Sequence, residues 1–219
     1  MNKKFDCVIL DFDGTLADTT EGILATFRKT LDVMGIPRPT DQEIKATIGL
    51  PLKQNFLVAL PGIEESLADE CVVKYRELFN STALPVITGF PGVNETLEAL
   101  HRAGVRMYIA TSRSNRSVGM LCQSLGIDGY FEGVYTAESV KRHKPAPDMA
   151  LLVLSEAGMA PERTLVVGDT TFDLQMGKSA GCSTCGVTYG NHSRSMLETA
   201  GPDYLIDDFS KLAEIVLSA

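Results

Sequence analysis

Val8–Thr19, VILDFDGTLADT, packs a strand, a tight turn and two carboxylates into a dozen residues, and the rest of the chain can be read as serving it. Cys7 to Leu10 is a short apolar run that reads as a buried strand of a parallel sheet, and Asp11 falls where that strand should end. Asp13 follows two residues later. Gly14 lets the backbone turn sharply enough for both side chains and the amides between them to converge on one small volume. Two like charges held so close need a cation or a shared proton to relieve them.

Three later segments carry polar groups able to join this site. Val105 to Ala110 (VRMYIA) ends in Thr111-Ser112, and Thr164 to Gly168 (TLVVG) ends in Asp169 with Asp173 four residues on. Between them, Lys144-Pro145 sits in a loop leading to a helix near Pro147. Ligand groups of open α/β sheets gather at the carboxyl ends of the strands, so these side chains are expected to meet Asp11 and Asp13 at one edge.

Together, Asp11-x-Asp13-Gly14-Thr15, the Thr111 hydroxyl, Lys144 before Pro-x-Pro, and Gly168-Asp169-x-x-x-Asp173 resemble, in order, the four motifs of the haloacid dehalogenase superfamily of phosphohydrolases. The resemblance runs from Phe5 to about Leu212. It is strongest to the phosphoglycolate phosphatase-like branch, which carries a helical cap inserted after the first motif.

Composition bounds the partners. With 44% hydrophobic residues in 219, the chain can bury one good-sized core and a smaller second domain. The N-terminal apolar stretch is too short for a signal peptide and no run approaches the ~18 apolar residues of a membrane span, so the expected location is cytoplasmic, with no membrane partner. A net charge of −8 without a basic stripe argues against nucleic acid. Five irregularly spaced cysteines argue against a disulfide framework, and the Cys182-x-x-Cys185 pair reads as core because no second Cys or His pair accompanies it. The assembly expected is a monomer or homodimer.

The order of elements is consistent with an α/β fold: a doubly wound parallel sheet (Rossmann-like core) with an inserted all-helical cap domain. Helices are predicted over Thr19 to Gly35, from the capping box at Thr40-x-x-Glu43 to near Pro51, over Leu52 to Leu60 and over Glu64 to about Asn80, with no β-rich run between Asp18 and Pro85. This gives a core of residues 1–16 and 84–219 and a cap of residues 17–83. Predicted core strands follow at Val105 to Ala110, Phe131 to Tyr135, Thr164 to Gly168, Ser183 to Thr188 and Asp203 to Ile206.

The residue types assign the chemistry. A carboxylate such as Asp11 attacking phosphorus gives an acyl phosphate, which splits one hard hydrolysis into two easier steps. Asp13 suits general acid-base work, and its backbone carbonyl can ligate a metal. The dehalogenating and phosphonate-cleaving members of the superfamily lack this second Asp, so the resemblance implies phosphate esters. Thr111, Ser112 and Lys144 are the expected phosphate-binding groups, Ser112 standing where the branch usually has Asn. Asp169 can ligate a metal directly and Asp173 can hold a metal-bound water, although Thr170-x-x-Asp173 is also a capping pattern. Arg113 and Arg116 at a helix start either reach a substrate carboxylate or stay on the surface. Lys53 in the cap resembles the Schiff-base lysine of the phosphonate-cleaving members in type but not in its surrounding spacing, and it reads as a solvated lysine.

Charge then argues for a cofactor. Asp11, Asp13, Asp169 and Asp173 against Lys144 give a sum of −3 if all are ionised, and one divalent cation brings it to −1. Oxygen-only ligands point to Mg²⁺ first. The expected activity is Mg²⁺-dependent hydrolysis of a small phosphorylated metabolite through an aspartyl phosphate. A sugar phosphomutase of the same superfamily and a non-catalytic phospho-acceptor switch are the alternatives; the cap and Asp13 count against the switch.

Overall fold

The computed structural model describes residues 3–218. Eight strands, β1 (Cys7–Leu10), β2 (Ala17–Asp18), β3 (Thr88–Gly89), β4 (Arg106–Ala110), β5 (Gly133–Tyr135), β6 (Thr164–Gly168), β7 (Ser183–Val187) and β8 (Tyr204–Ile206), fall into two sheets. Six form a sheet in the order β5-β4-β1-β6-β7-β8, every pair parallel. The remaining two, β2 and β3, pair antiparallel on their own.

Strand β1 shows how the sheet is buried on both sides. Its side chains alternate, so Val8 and Leu10 join one apolar cluster while Cys7 and Ile9 join another. The first cluster takes in α5 (Val93–Arg102), α6 (Asn115–Leu125) and α10 (Lys211–Leu217) through Leu97, Leu121 and Leu212. On the opposite face lie α7 (Asp148–Ala157) and α8 (Thr171–Ser179), through Met149, Val153 and Met176. Both faces are therefore covered, as an all-parallel sheet requires.

The chain travels outward from β1 to β4 and β5, then crosses back to β6 and continues to β7 and β8. That reversal lies at β1, and it opens a crevice beyond the carboxyl ends of the central strands. Leu10 is in register with Ile109 of β4 and Val167 of β6. Asp11 thus comes level with Ala110 and Gly168, and Thr111 and Asp169 follow one residue beyond it on the adjacent strands.

Between β2 and β3 the chain forms α1 (Thr20–Met34), α2 (Asp41–Lys45), α3 (Leu52–Ala59) and α4 (Glu65–Thr82), the helical cap. Its interior is aromatic: Phe27 stacks on Phe56 with centroids 4.2 Å apart, and Tyr75 meets Phe56 edge-on. Phe12 and Leu16 extend this apolar cluster into the core of the sheet domain. Among the described residues no helix is long and apolar enough to cross a membrane.

Several local expectations need correction. Helix α2 keeps its capping box but stops at Lys45 instead of reaching Pro51: the Thr47 and Ile48 amides turn back on the carbonyls three residues before them, and the Thr47 hydroxyl also takes the Ile44 carbonyl at 2.7 Å. Strand β5 begins at Gly133, after a turn of 3₁₀ helix at Asp128–Tyr130. The β2–β3 ribbon and the short helix α9 (Arg194–Thr199) are additions to the predicted elements. All five cysteines are buried and free, and burial pushes the Cys182 and Cys185 thiols up to about 12, in keeping with core residues.

Candidate active site

Four predicted residues meet at the crevice. Asp11 sits directly after β1, 5% exposed, with its amide donating to the Val167 carbonyl at 2.9 Å. The Lys144 ammonium donates to Asp11 Oδ1 at 2.6 Å, to Asp173 Oδ1 at 2.5 Å and to the Ala110 carbonyl at 2.7 Å. Asp11, Asp169 and Asp173 each offer an oxygen within 4.8 Å of the others, and all three are buried. Lys144 is followed by a cis peptide to Pro145.

The oxygens of this cluster are not equally committed. Asp173 uses Oδ2 to accept from the Thr170 amide and hydroxyl, so it is both the cap of α8 and the partner of Lys144. Asp169 Oδ2 accepts from the amide and the side chain of Asn191, each at 2.7 Å, while its Oδ1 has only the Thr15 hydroxyl at 3.4 Å. Asp11 Oδ2 accepts no hydrogen bond among the described residues. Asp11 and Asp169 therefore each keep an oxygen open, and Asp173 keeps none.

Burial and mutual repulsion set the electrostatics. Asp11 is pushed well above the usual carboxylate range by desolvation, against the pull of Lys144. Asp169 is pushed up to about 7 by burial and by the charge of Asp173, with the Asn191 bonds opposing. Burial works against the charge on Lys144, yet Asp11 and Asp173 hold its ammonium above the ordinary lysine range. Three carboxylates thus share one cation.

Asp13 is not part of that cluster. Its carboxylate turns toward the cap, where Arg113 Nε lies 2.9 and 2.7 Å from Oδ1 and Oδ2, Arg113 Nη2 lies 2.6 Å from Oδ1, and the Thr19 hydroxyl donates at 2.5 Å. Arg113 neutralises it, so the excess of negative charge at the crevice falls below the count made from sequence. The Asp13 backbone carbonyl accepts no hydrogen bond among the described residues, which leaves it open for the metal contact expected of it.

Thr111 is fully buried after β4, and its hydroxyl accepts from the Arg113 amide at 3.2 Å. The Ser112 hydroxyl donates to the carbonyl of Gly49 in the cap at 2.6 Å, tying cap to core. Arg116 is exposed and lines the same cleft, a cavity of about 880 Å³ whose walls include Asp11, Asp13, Ser112, Arg113 and cap residues from α3 and α4. Lys53 also lines it, paired with Asp69 at 3.0 Å and Glu65 at 3.3 Å, which holds it as an ammonium.

Sequence reasoning alone passes over Asn191. It lies in the loop after β7 at the same sheet edge, past the strand-end position held by Thr111 and Asp169, and it also accepts from Thr20 at the start of the cap at 3.1 Å. Gly14, with φ +78°, and Gly190 complete the cradle: a Cβ on either would collide with Asp169.

Residues 8–187 match the model of the haloacid dehalogenase-like hydrolase family. Over 209 residues the chain is 40% identical to the protein named "Probable phosphatase IndB" of Dickeya dadantii, covering 94% of this chain and 90% of that one. It is 33% identical to pyrophosphatase PpaX of Bacillus velezensis, with coverages of 98% and 97%. Its identity to phosphoglycolate phosphatase of Salmonella typhi is 32%, with coverages of 94% and 90%. An acid cluster and lysine at the carboxyl edge of a parallel sheet, a helical insert after the first motif and a match over most of its length place this chain in the haloacid dehalogenase-like hydrolase family, among its phosphatases.

Proposed function

We propose that the chain is a Mg²⁺-dependent phosphomonoesterase of a small phosphorylated metabolite and works through an aspartyl phosphate on Asp11. The observation that carries this reading is the state of Asp11: a buried carboxylate at the end of the central strand, one oxygen fixed by Lys144 and the other open toward the cleft. Lys144 orients the attacking group and balances the phosphoryl charge, with Thr111 and nearby amides as further donors.

The donor set fits a hard divalent ion. Asp11 and Asp169 have free oxygens for direct contact, the Asp13 carbonyl is open, and Asp173 with both oxygens engaged suits an outer position. When bound, the ion would neutralise charge that otherwise repels phosphate. Asp13 has to leave Arg113 and Thr19 and take up a proton from solvent or from the phosphate monoanion; it then gives that proton to the departing oxygen and later takes one back from the attacking water. The cap, placed at residues 17–83, closes over the cleft and supplies contacts to the organic part of the substrate.

The test separates the two aspartates. Asp11→Asn should lose turnover with every ester. With Asp13→Asn, p-nitrophenyl phosphate should give a burst of about one nitrophenolate per site and then stall, since a phenolate leaves unprotonated but the acyl phosphate lacks its base. Mass spectrometry of the quenched variant should find phosphate on the Asp11 peptide, and an unmodified peptide after a clear burst would overturn the covalent mechanism.

A further inference from the structure

We propose that Arg113 is a specificity residue that selects esters whose departing group carries its own anion, a carboxylate or second phosphate near the bridging oxygen; this rests on the phosphatase reading with Asp13 as the acid. The geometry is that of an exchange site. Arg113 spreads its guanidinium over both oxygens of Asp13 and gives Nη1 to Ser117 Oγ at 2.8 Å. Its side chain is 9% exposed although it lines the cleft. Phe79 of the cap covers it at 5.0 Å and Phe12 of the core at 5.9 Å.

For Asp13 to reach a departing oxygen, this pair has to open. Opening it alone strands a desolvated cation without a counter-ion, which is strongly unfavourable. A substrate with an anionic departing group removes that penalty, because its carboxylate or phosphate fits the same planar fork that Asp13 vacates. Binding and release of the acid then become one exchange, in which the charge in the cleft wall is conserved. A neutral departing group offers nothing in return, and Asp13 stays held. Arg116, in the same cleft but exposed, cannot act this way, since a solvated guanidinium gains little from a partner.

The experiment uses the full chain with Mg²⁺ and matched probes. Wild type should favour phosphoglycolate over ethyl phosphate in kcat/KM by on the order of 100-fold. Ethane-1,2-diyl bisphosphate against ethyl phosphate forms the second arm, with an alkoxide departing in both, and it separates a phosphate requirement from a carboxylate one. In Arg113→Gln the favoured ratio should collapse to a few-fold, and Arg113→Lys should retain part of it because a point charge replaces the fork. Calorimetry gives a readout apart from turnover: 3-phosphonopropionate should bind wild type more tightly than propylphosphonate, and the gap should close in Arg113→Gln. Equal treatment of both pairs by wild type, or a preference that survives in Arg113→Gln, would overturn the proposal. Failure of wild type to release nitrophenolate from p-nitrophenyl phosphate would instead sink the phosphatase reading, leaving the calorimetric pair to decide on Arg113.

Discussion

Two ion clusters stand side by side in this molecule, and they are built on opposite principles. Asp11, Asp169, Asp173 and Lys144 all belong to the sheet domain: Asp173 is held by the capping box of α8, Asp169 by Asn191 and a glycine cradle, and Asp11 by Lys144, which also reaches the Ala110 carbonyl. Asp13, Arg113 and Thr19 meet at the seam, with Phe79 of the cap laid over the guanidinium. The first is short of positive charge. The second is neutral and, on the proposed mechanism, contains the group that moves. On that reading the tasks of holding a cation and passing a proton fall to two nearby residues of one turn.

Removing Lys144 should strain the first cluster most. Lys144→Met leaves three buried carboxylates without a cation, so the chelator-treated variant should lose about 3–5 kcal/mol in urea unfolding, with Mg²⁺ restoring part of it. A loss below ~1 kcal/mol would mean that the carboxylates are already largely protonated. Turnover should fall by at least ~10²-fold.

A smaller effect concerns protons alone. The Asp169 carboxyl is raised from 3.8 to about 7, so the folded state binds the proton more tightly than the unfolded one. Stability contributed this way is complete below the unfolded value and is lost as pH rises through the folded one. Metal-free protein should therefore melt at lower temperature at pH 8 than at pH 5, and saturating Mg²⁺ should reduce the slope. A melting temperature that climbs across this range in chelator would contradict the burial argument.

The mildest change tests the seam. Ser112→Ala removes one hydrogen bond between core and cap, and a net bond of this kind contributes about 0.5–1.5 kcal/mol. KM should rise a few-fold through looser closure, with the melting temperature of the core unchanged. An effect on kcat as large as on KM would give Ser112 a direct part in the reaction.

The same division explains what can be read from the sequence. Asp11, Thr111 and Asp169 each follow an apolar run directly, and Asp173 lies in the first turn of the next helix, so strand ends and spacing mark them. For Asp173 the sequence offers two patterns, a holder of metal-bound water and a helix cap; the structure shows the cap, and the ion pair with Lys144 is marked by neither pattern. The Asp13–Arg113 pair spans 100 residues and depends on the path of a long flexible side chain, which no local period records. Ribbon β2–β3 is two residues on each side, too short to alternate, and α9 is a six-residue helix announced only by its Ser193 cap. The far end of α2 departs from expectation because the Thr47 hydroxyl and three-residue turns take up the carbonyls that a continued helix would use.

That ribbon also governs how freely the enzyme can change. Ala17 is paired with Gly89 and Asp18 with Thr88, so the excursion that holds all four cap helices leaves and re-enters the sheet domain at one point. Its ends stay together whatever lies between them. Closing a flexible loop costs only about 0.6 kcal/mol more for each doubling of its length. Insertions or exchanges within the cap are thus almost invisible to the chain entropy of the sheet domain, and new specificities can be tried there while the crossing itself stays as it is.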